Sequence, residues 1–274
     1  MSSVIAIYRD ACFSPNSVAA DRSIMDATID RLSQHQVLAI AEHELGEQHR
    51  ADLFLSMGRL PRTIQLLRAR EQQDHALVIN NAAALERFSR RHILQMMQEN
   101  GIPTPPETGE HGYWVKRADS AAQTKADVVF CSDKATVEQT KRNFALRGVN
   151  DVVVSAHVVG DLIKFYGVGD SFFWYFYPTD NGHSKFGNEK RNGIAQHFGF
   201  NLSELRAVAT RLARLTGIDV YGGDCIVDCE GRFSIIDFND WPSFSPCREQ
   251  AADAISLFVN RLLAAQNNSQ QKNG

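Results

Sequence analysis

The chain is 274 residues long, with 43% hydrophobic and 22% charged residues and a formal net charge of −3. That is enough material for two or three compact units with a sizeable core, and it gives no global field that would draw the protein to nucleic acid or an anionic membrane surface. The five cysteines are odd in number and contain no C-x-x-C pair, which argues against a disulfide framework or a zinc site and for a reducing compartment. The opening run Met1 to Asp10 is too soon interrupted for a signal sequence, and no apolar stretch is long enough to span a bilayer. A soluble cytoplasmic protein is expected, a monomer or homodimer with a small-molecule or peptide partner.

In chain order, Val4 to Tyr8 reads as a strand, Ala19 to Leu32 as a helix, and Val37 to Ala41 and Ala51 to Met57 as further strands. Pro61 opens a helix to Arg70, and Ala76 to Ile79 forms a fourth strand. Strands separated by helices of this length predict a parallel sheet, so the fold class is α/β. Ligands in such sheets sit beyond the carboxyl ends of the strands, which places Arg9, Ser14, Asn16, Ser56 and Arg59 near a crevice.

A single helix is expected from Ala83 to Asn100, stopped by Gly101 and by the prolines at 103, 105 and 106. Strands at Tyr113 to Lys116 and Val128 to Cys131 follow, then a helix from Lys134 to Arg147. The last third reads as strands Asp151 to His157, Leu162 to Val168 and Phe172 to Tyr177, a helix Ser203 to Thr216, two more strands, and a helix Arg248 to Ala265. The polar tail 266–274 lacks apolar periodicity and is expected to be disordered. The units are then residues 1–82, 83–152 and 153–265.

The two late strands carry the chemistry. Residues i and i+2 of a strand share a face, so Asp237 and Asn239 point together while Phe238 turns inward. If the turn Asp228-Cys229-Glu230-Gly231-Arg232 pairs the two strands, Asp224 joins them. Two carboxylates and an amide oxygen suit Mg²⁺ (Mn²⁺ as a substitute) completed by water and phosphate oxygens. The plainer alternative is that the three residues cap strand ends.

The order of these pieces resembles the ATP-grasp superfamily over Val4 to Ala265: a small parallel-sheet domain, then two α+β subdomains that clasp ATP. Peptide-type ligases of that superfamily are similar at Ile79-Asn80-Asn81, Arg91 and Gly101-Ile102-Pro103-Thr104-Pro105, and its inositol polyphosphate kinases at Leu162 to Ser171 and in the Asp…Asp-x-Asn strands. The resemblance implies that Lys116 and Arg91 hold ATP phosphates, and that the hinge residues Ser155, Ala156, His157 and Val158 meet the adenine. It further implies that Asp161 takes a ribose hydroxyl, that Lys164 lies between nucleotide and acceptor, and that Lys190 or Arg191 reaches the transferred phosphate. A flap follows Lys116, but residues 118–124 lack the glycines usual there. Arg9, Arg59, Ser243 and Arg248 are the candidate acceptor contacts. The implied activity is ATP- and Mg²⁺-dependent carboxylate–amine ligation. A small-molecule kinase and an ATP-binding sensor are the alternatives.

Overall fold

The computed structural model describes residues 1–119, 124–180 and 191–273. The first layer is a parallel sheet of β1 (Ser3–Tyr8), β2 (Gln36–Ala41), β3 (Leu53–Ser56) and β4 (Leu77–Ile79), ordered β2-β1-β3-β4. Its crossovers carry α1 (Val18–Asp30) and α2 (Pro61–Gln73). Val4, Ile5, Ala6 and Ile7 of β1 are all buried, as a parallel strand covered on both faces requires.

Where one helix is expected, the chain forms two: α3 (Ala82–Glu86) and α4 (Arg90–Glu99). Ser89 causes the break, because its hydroxyl accepts the His92 N–H at 3.2 Å and caps α4. Such a cap is worth about 1 kcal/mol. It also sets the phase of every residue that follows, with consequences for two arginines below.

The second layer is an antiparallel sheet of β5 (Tyr113–Arg117), β6 (Val128–Cys131) and β7 (Val152–Ala156), ordered β6-β5-β7 and backed by α5 (Lys134–Leu146). The third sheet, β11-β10-β8-β9, is also antiparallel and comprises β8 (Asp161–Val168), β9 (Phe172–Phe176), β10 (Val220–Val227) and β11 (Phe233–Asp240). Helix α6 (Leu202–Thr216) leads into β10 through Gly217, whose φ of +73° closes the helix in the left-handed region. Asn80 then locks β10 to the first layer: its amide donates to the Val220 carbonyl at 2.9 Å and accepts the Val220 N–H at 2.7 Å.

The last helix, α7, runs from Arg248 to Asn273. This corrects the expectation of a disordered tail: an established helix extends one hydrogen bond at a time, without a new nucleus, and Gln266 donates to the His75 carbonyl at 2.8 Å. One core cluster joins α7 (Ala251, Ile255, Val259, Leu263) to Val4, Ala6, Ile24, Met25 and Leu53 of the first layer. Among the described residues no helix is long and apolar enough to cross a membrane.

Candidate active site

A cleft of about 730 Å³ lies where the three layers meet. That is in the upper half of the roughly 300–1,000 Å³ span of small-molecule sites. Its floor is one face of β8 and β10. Leu162 lies opposite Ile226, Lys164 opposite Asp224, and Tyr166 opposite Gly222. The alternate residues Ile163 and Phe165 are fully buried in the core beneath. Each pair is two strand positions from the next, about 6.8 Å. The floor therefore runs from apolar through charged to aromatic.

Strand β11 adds to the middle of this floor. Asp237 lies directly opposite Asp224, and Asn239 opposite Gly222. The turn that sets this register is held by Asp228, whose Oδ1 accepts the Glu230 and Arg232 N–H groups at 2.9 and 3.0 Å. Gly223 permits the close approach, since a Cβ there would lie 2.5 Å from the Asp237 carbonyl. Asp224, Asp237 and Asn239 thus share a face and line the cleft together.

Cations surround them. The Lys164 ammonium is 3.1 Å from both oxygens of Asp224, and Arg90 Nη2 is 3.3 Å from Asp237 Oδ2. Lys116 Nζ donates to the Ile236 carbonyl at 2.9 Å. Burial pushes the Asp237 carboxyl up. The charges of Arg90 and Lys116, with hydrogen bonds from Arg90 and Asn239, outweigh that and hold it below the usual carboxylate range. Burial brings Lys116 down to about 8, the charge of Asp237 opposing and that of Arg90 assisting.

Among the described residues no group of three or more His, Cys, Asp or Glu side chains gathers as a metal site. The candidate set is smaller and harder: two facing carboxylates, at least Asp237 held ionised, and one amide oxygen. That donor chemistry fits Mg²⁺, which dehydrates reluctantly and takes few protein ligands.

Several candidates fall elsewhere than expected. Arg91 is exposed, pairing with Asp151 and donating to the Val152 carbonyl at 2.8 Å; its neighbour Arg90 enters the cleft. With Ser89 as cap, Arg90 is the first helical residue, and the boundary signal that identifies it was hidden inside a single expected helix. Asp161 is buried and turned away, accepting the Gln196 and Phe198 N–H groups at 2.7 and 2.8 Å. It does not line the cleft. Ser56 is buried, its hydroxyl accepting the Gly58 N–H. Arg248 opens α7 and does not line the cleft. Lys190 and the flap residues 120–123 lie outside the described residues.

The apolar end carries Ser155, Ala156, His157 and Val158 with Trp114 and Pro105. The Ala156 and His157 N–H groups are used within the protein, on the carbonyls of Pro106 and Gly112, both at 2.8 Å. The His157 ring accepts the Trp114 indole N–H on Nδ1 at 3.1 Å, which places its proton on Nε2. Burial, with Arg191 and His111 nearby, lowers its pKa. Arg191 lines the cleft and sits over the Phe130 ring at 3.5 Å.

Arg9 and Arg59 do line the cleft but are already engaged. Arg9 contacts Asp21 at 3.2 Å and Asp240 at 3.3 Å, and both nitrogens of Arg59 that face Asp240 pair with it. Burial lowers the guanidinium pKa of each, and for Arg59 the charge of Arg9 adds to the effect. Asp240 is the centre of this group and was not expected; its position directly after Asn239 was the available signal. Ser243 lies on the cleft wall just beyond it.

No protein-family model matches the sequence, and no curated protein does either. Solved structures do match. The D-alanine–D-alanine ligase of Bacillus anthracis complexed with ATP superposes with a TM-score of 0.65 at 11% identity over 100% of both chains. The D-alanyl-alanine synthetase A of Vibrio cholerae gives 0.66 at 9% identity, over 96% of this chain and 98% of that one. A RimK domain ATP-grasp protein of Sphaerobacter thermophilus gives 0.62 at 15% identity, over 93% and 99%. End-to-end agreement at such low identity is agreement of architecture: this chain has the ATP-grasp fold.

Proposed function

We propose that the protein is an ATP- and Mg²⁺-dependent carboxylate–amine ligase. The observation that carries this reading is the facing pair Asp224 and Asp237, with Asn239 beside it, enclosed by Lys116, Lys164 and Arg90 in the middle of the cleft. A nucleotide fits with its base between the hinge and the Leu162–Ile226 pair and its phosphates at this centre. Asp224, Asp237 and Asn239 would hold Mg²⁺, which neutralises phosphate charge. Lys116 and Arg90 would orient the phosphate tail.

In the first step an acceptor carboxylate oxygen attacks the γ-phosphorus and ADP leaves. In the second an amine attacks the acyl carbon, expelling phosphate and losing a proton, and an amide forms. The protein supplies position, charge and exclusion of water rather than a nucleophile of its own. Incubation with ATP, MgCl₂ and pooled carboxylates and amines tests this by mass spectrometry. ADP with a new amide is expected; a phosphorylated hydroxyl compound would instead identify a kinase and overturn the ligase reading.

Two binding predictions follow from the arginine and lysine placements. Arg90→Ala is expected to weaken ATP about tenfold or more, as loss of a charge-assisted hydrogen bond does. Arg91→Ala should change it less than about twofold, and titration calorimetry separates the two. Because the Lys116 pKa is lowered to about 8, its ammonium is present below that pH and lost above it. ATP affinity should therefore hold to about pH 8 and fall by up to about tenfold per pH unit beyond. Lys116→Arg should extend the plateau; an unchanged profile in that variant would remove Lys116 from the phosphate site.

A further inference from the structure

Beyond the carboxylates the cleft changes character. Tyr166 lies two positions past Lys164 and forms the centre of an aromatic shelf. Its ring is parallel to that of Trp174, with 6.2 Å between centroids and 4° between planes. Phe176 stands 6.0 Å away and the fully buried Phe244 5.2 Å away. Four rings from β8, β9 and the loop after β11 thus fix one another. Tyr166 and Phe176 show their remaining surface to the cleft, facing a volume also bounded by Phe13 and Pro242.

Gly222 keeps the shelf tight against the carboxylate centre. A Cβ at that position would lie 2.8 Å from Pro242 Cγ and 2.9 Å from Tyr166 Cδ1. The shelf therefore begins directly beside Asn239, where an acceptor must lie if its carboxylate is to reach the phosphate centre.

The charged side chains at this end do not compete for a ligand. Arg9 and Arg59 pair with Asp21 and Asp240, with side-chain exposures of 7%, 17%, 8% and 1%, and the buried Glu42 adds a third negative charge that acts on both arginines. A ligand with a second charged group would have to break that set, leaving a buried ion without its partner. An aromatic ring would instead add a face to an existing stack and displace water from apolar surface.

Resting on the ligase reading above, we infer that the acceptor is a monocarboxylate bearing an aromatic or flat apolar group, seated on the Tyr166–Phe176 shelf, rather than a dicarboxylate or a small amino acid.

The test uses the intact chain with ATP, MgCl₂ and hydroxylamine, which converts activated carboxylates to hydroxamates. The acceptors are 3-phenylpropionate, indole-3-acetate, hexanoate, glutarate and alanine. The aryl acceptors are expected to give a kcat/KM at least about tenfold above the others, and Phe176→Ala to erase that advantage. Binding is read separately, by saturation-transfer NMR of the aryl ring with ADP present. Faster turnover of glutarate or alanine would overturn the aromatic class while keeping the ligase. Aryl binding lost in Phe176→Ala, with no ADP release from any carboxylate, would keep the shelf and overturn the ligase. Absence of both aryl turnover and aryl binding would overturn the shelf itself.

Discussion

Replacing Asp240 by alanine is expected to lower the unfolding free energy by about 3–5 kcal/mol, the usual cost of removing one partner of a buried ion pair. The side chain is 1% exposed and answers two guanidinium groups, Arg9 and Arg59, which come from different loops of the first layer. Arg9 would keep Asp21 and the Met57 carbonyl; Arg59 would lose the carboxylate it pairs with directly, keeping only the more distant charges of Asp21 and Glu42. For a domain of this size the loss corresponds to a drop in Tm of about 6–20 °C. Because the pairs are buried, added salt should not reproduce the effect. Asp240→Asn keeps an acceptor oxygen and should fall between wild type and alanine. A Tm shift below about 2 °C for the alanine variant would show that the three charges do not act as a unit. The prediction also separates Asp240 from its neighbours in the cleft: its loss should be read first in stability, theirs in turnover.

Asp237→Ala is expected to behave the opposite way. The residue is only partly buried, on the open face of β11, so the fold should persist. Turnover should fall by about a thousandfold or more, equivalent to ~4 kcal/mol of transition-state stabilisation. Two effects add. The variant removes one of two facing carboxylates, and with it the hard donor set for Mg²⁺. It also removes the anion that supports the Lys116 ammonium, so the Lys116 pKa should move below about 8 and the fall in ATP affinity should begin at lower pH. Measuring kcat together with the pH profile of ATP binding distinguishes loss of the centre from general damage. Near-normal turnover in a folded Asp237→Ala protein would remove the centre from the reaction. Asp237→Asn, which keeps the shape, should be nearly as impaired if charge is what matters.

The parts of this protein that repeat with a local period were open to reading in the sequence. Strand alternation placed Asp237 and Asn239 on one face and Phe238 beneath, and a single turn brought Asp224 across from Asp237. The parallel first layer followed in the same way from short apolar runs separated by helices. What was hidden depended on phase or on distant partners. Arg90 and Arg91 differ only in which side of α4 they occupy, and Ser89, the cap that decides this, lay inside a longer expected helix. Asp161 had the composition of a ligand contact, yet it is buried outside the cleft, holding the loop at Gln196 and Phe198. Asp240 meets Arg59 across 181 positions and Arg9 across 231. The shelf around Tyr166 is assembled from three segments. Local pattern carries no record of such meetings. The polar end of α7 failed for the reverse reason, since composition argued for disorder while the helix already in place needed only to continue.

The sharing of one core between α7 and the first sheet bears on how the molecule can be made and cut. The face of that sheet closed by Ile255, Val259 and Leu263 stays open until the chain has been synthesised past residue 263. The strands of the first layer are thus made long before that face is sealed, and during that interval they offer other chains a sticky surface. Trimming the carboxyl end back past residue 248 would remove the α7 side of that core and leave α1 and the sheet without their partner. The amino-terminal third is therefore better regarded as a half awaiting its complement than as a module that could be lifted out and studied alone.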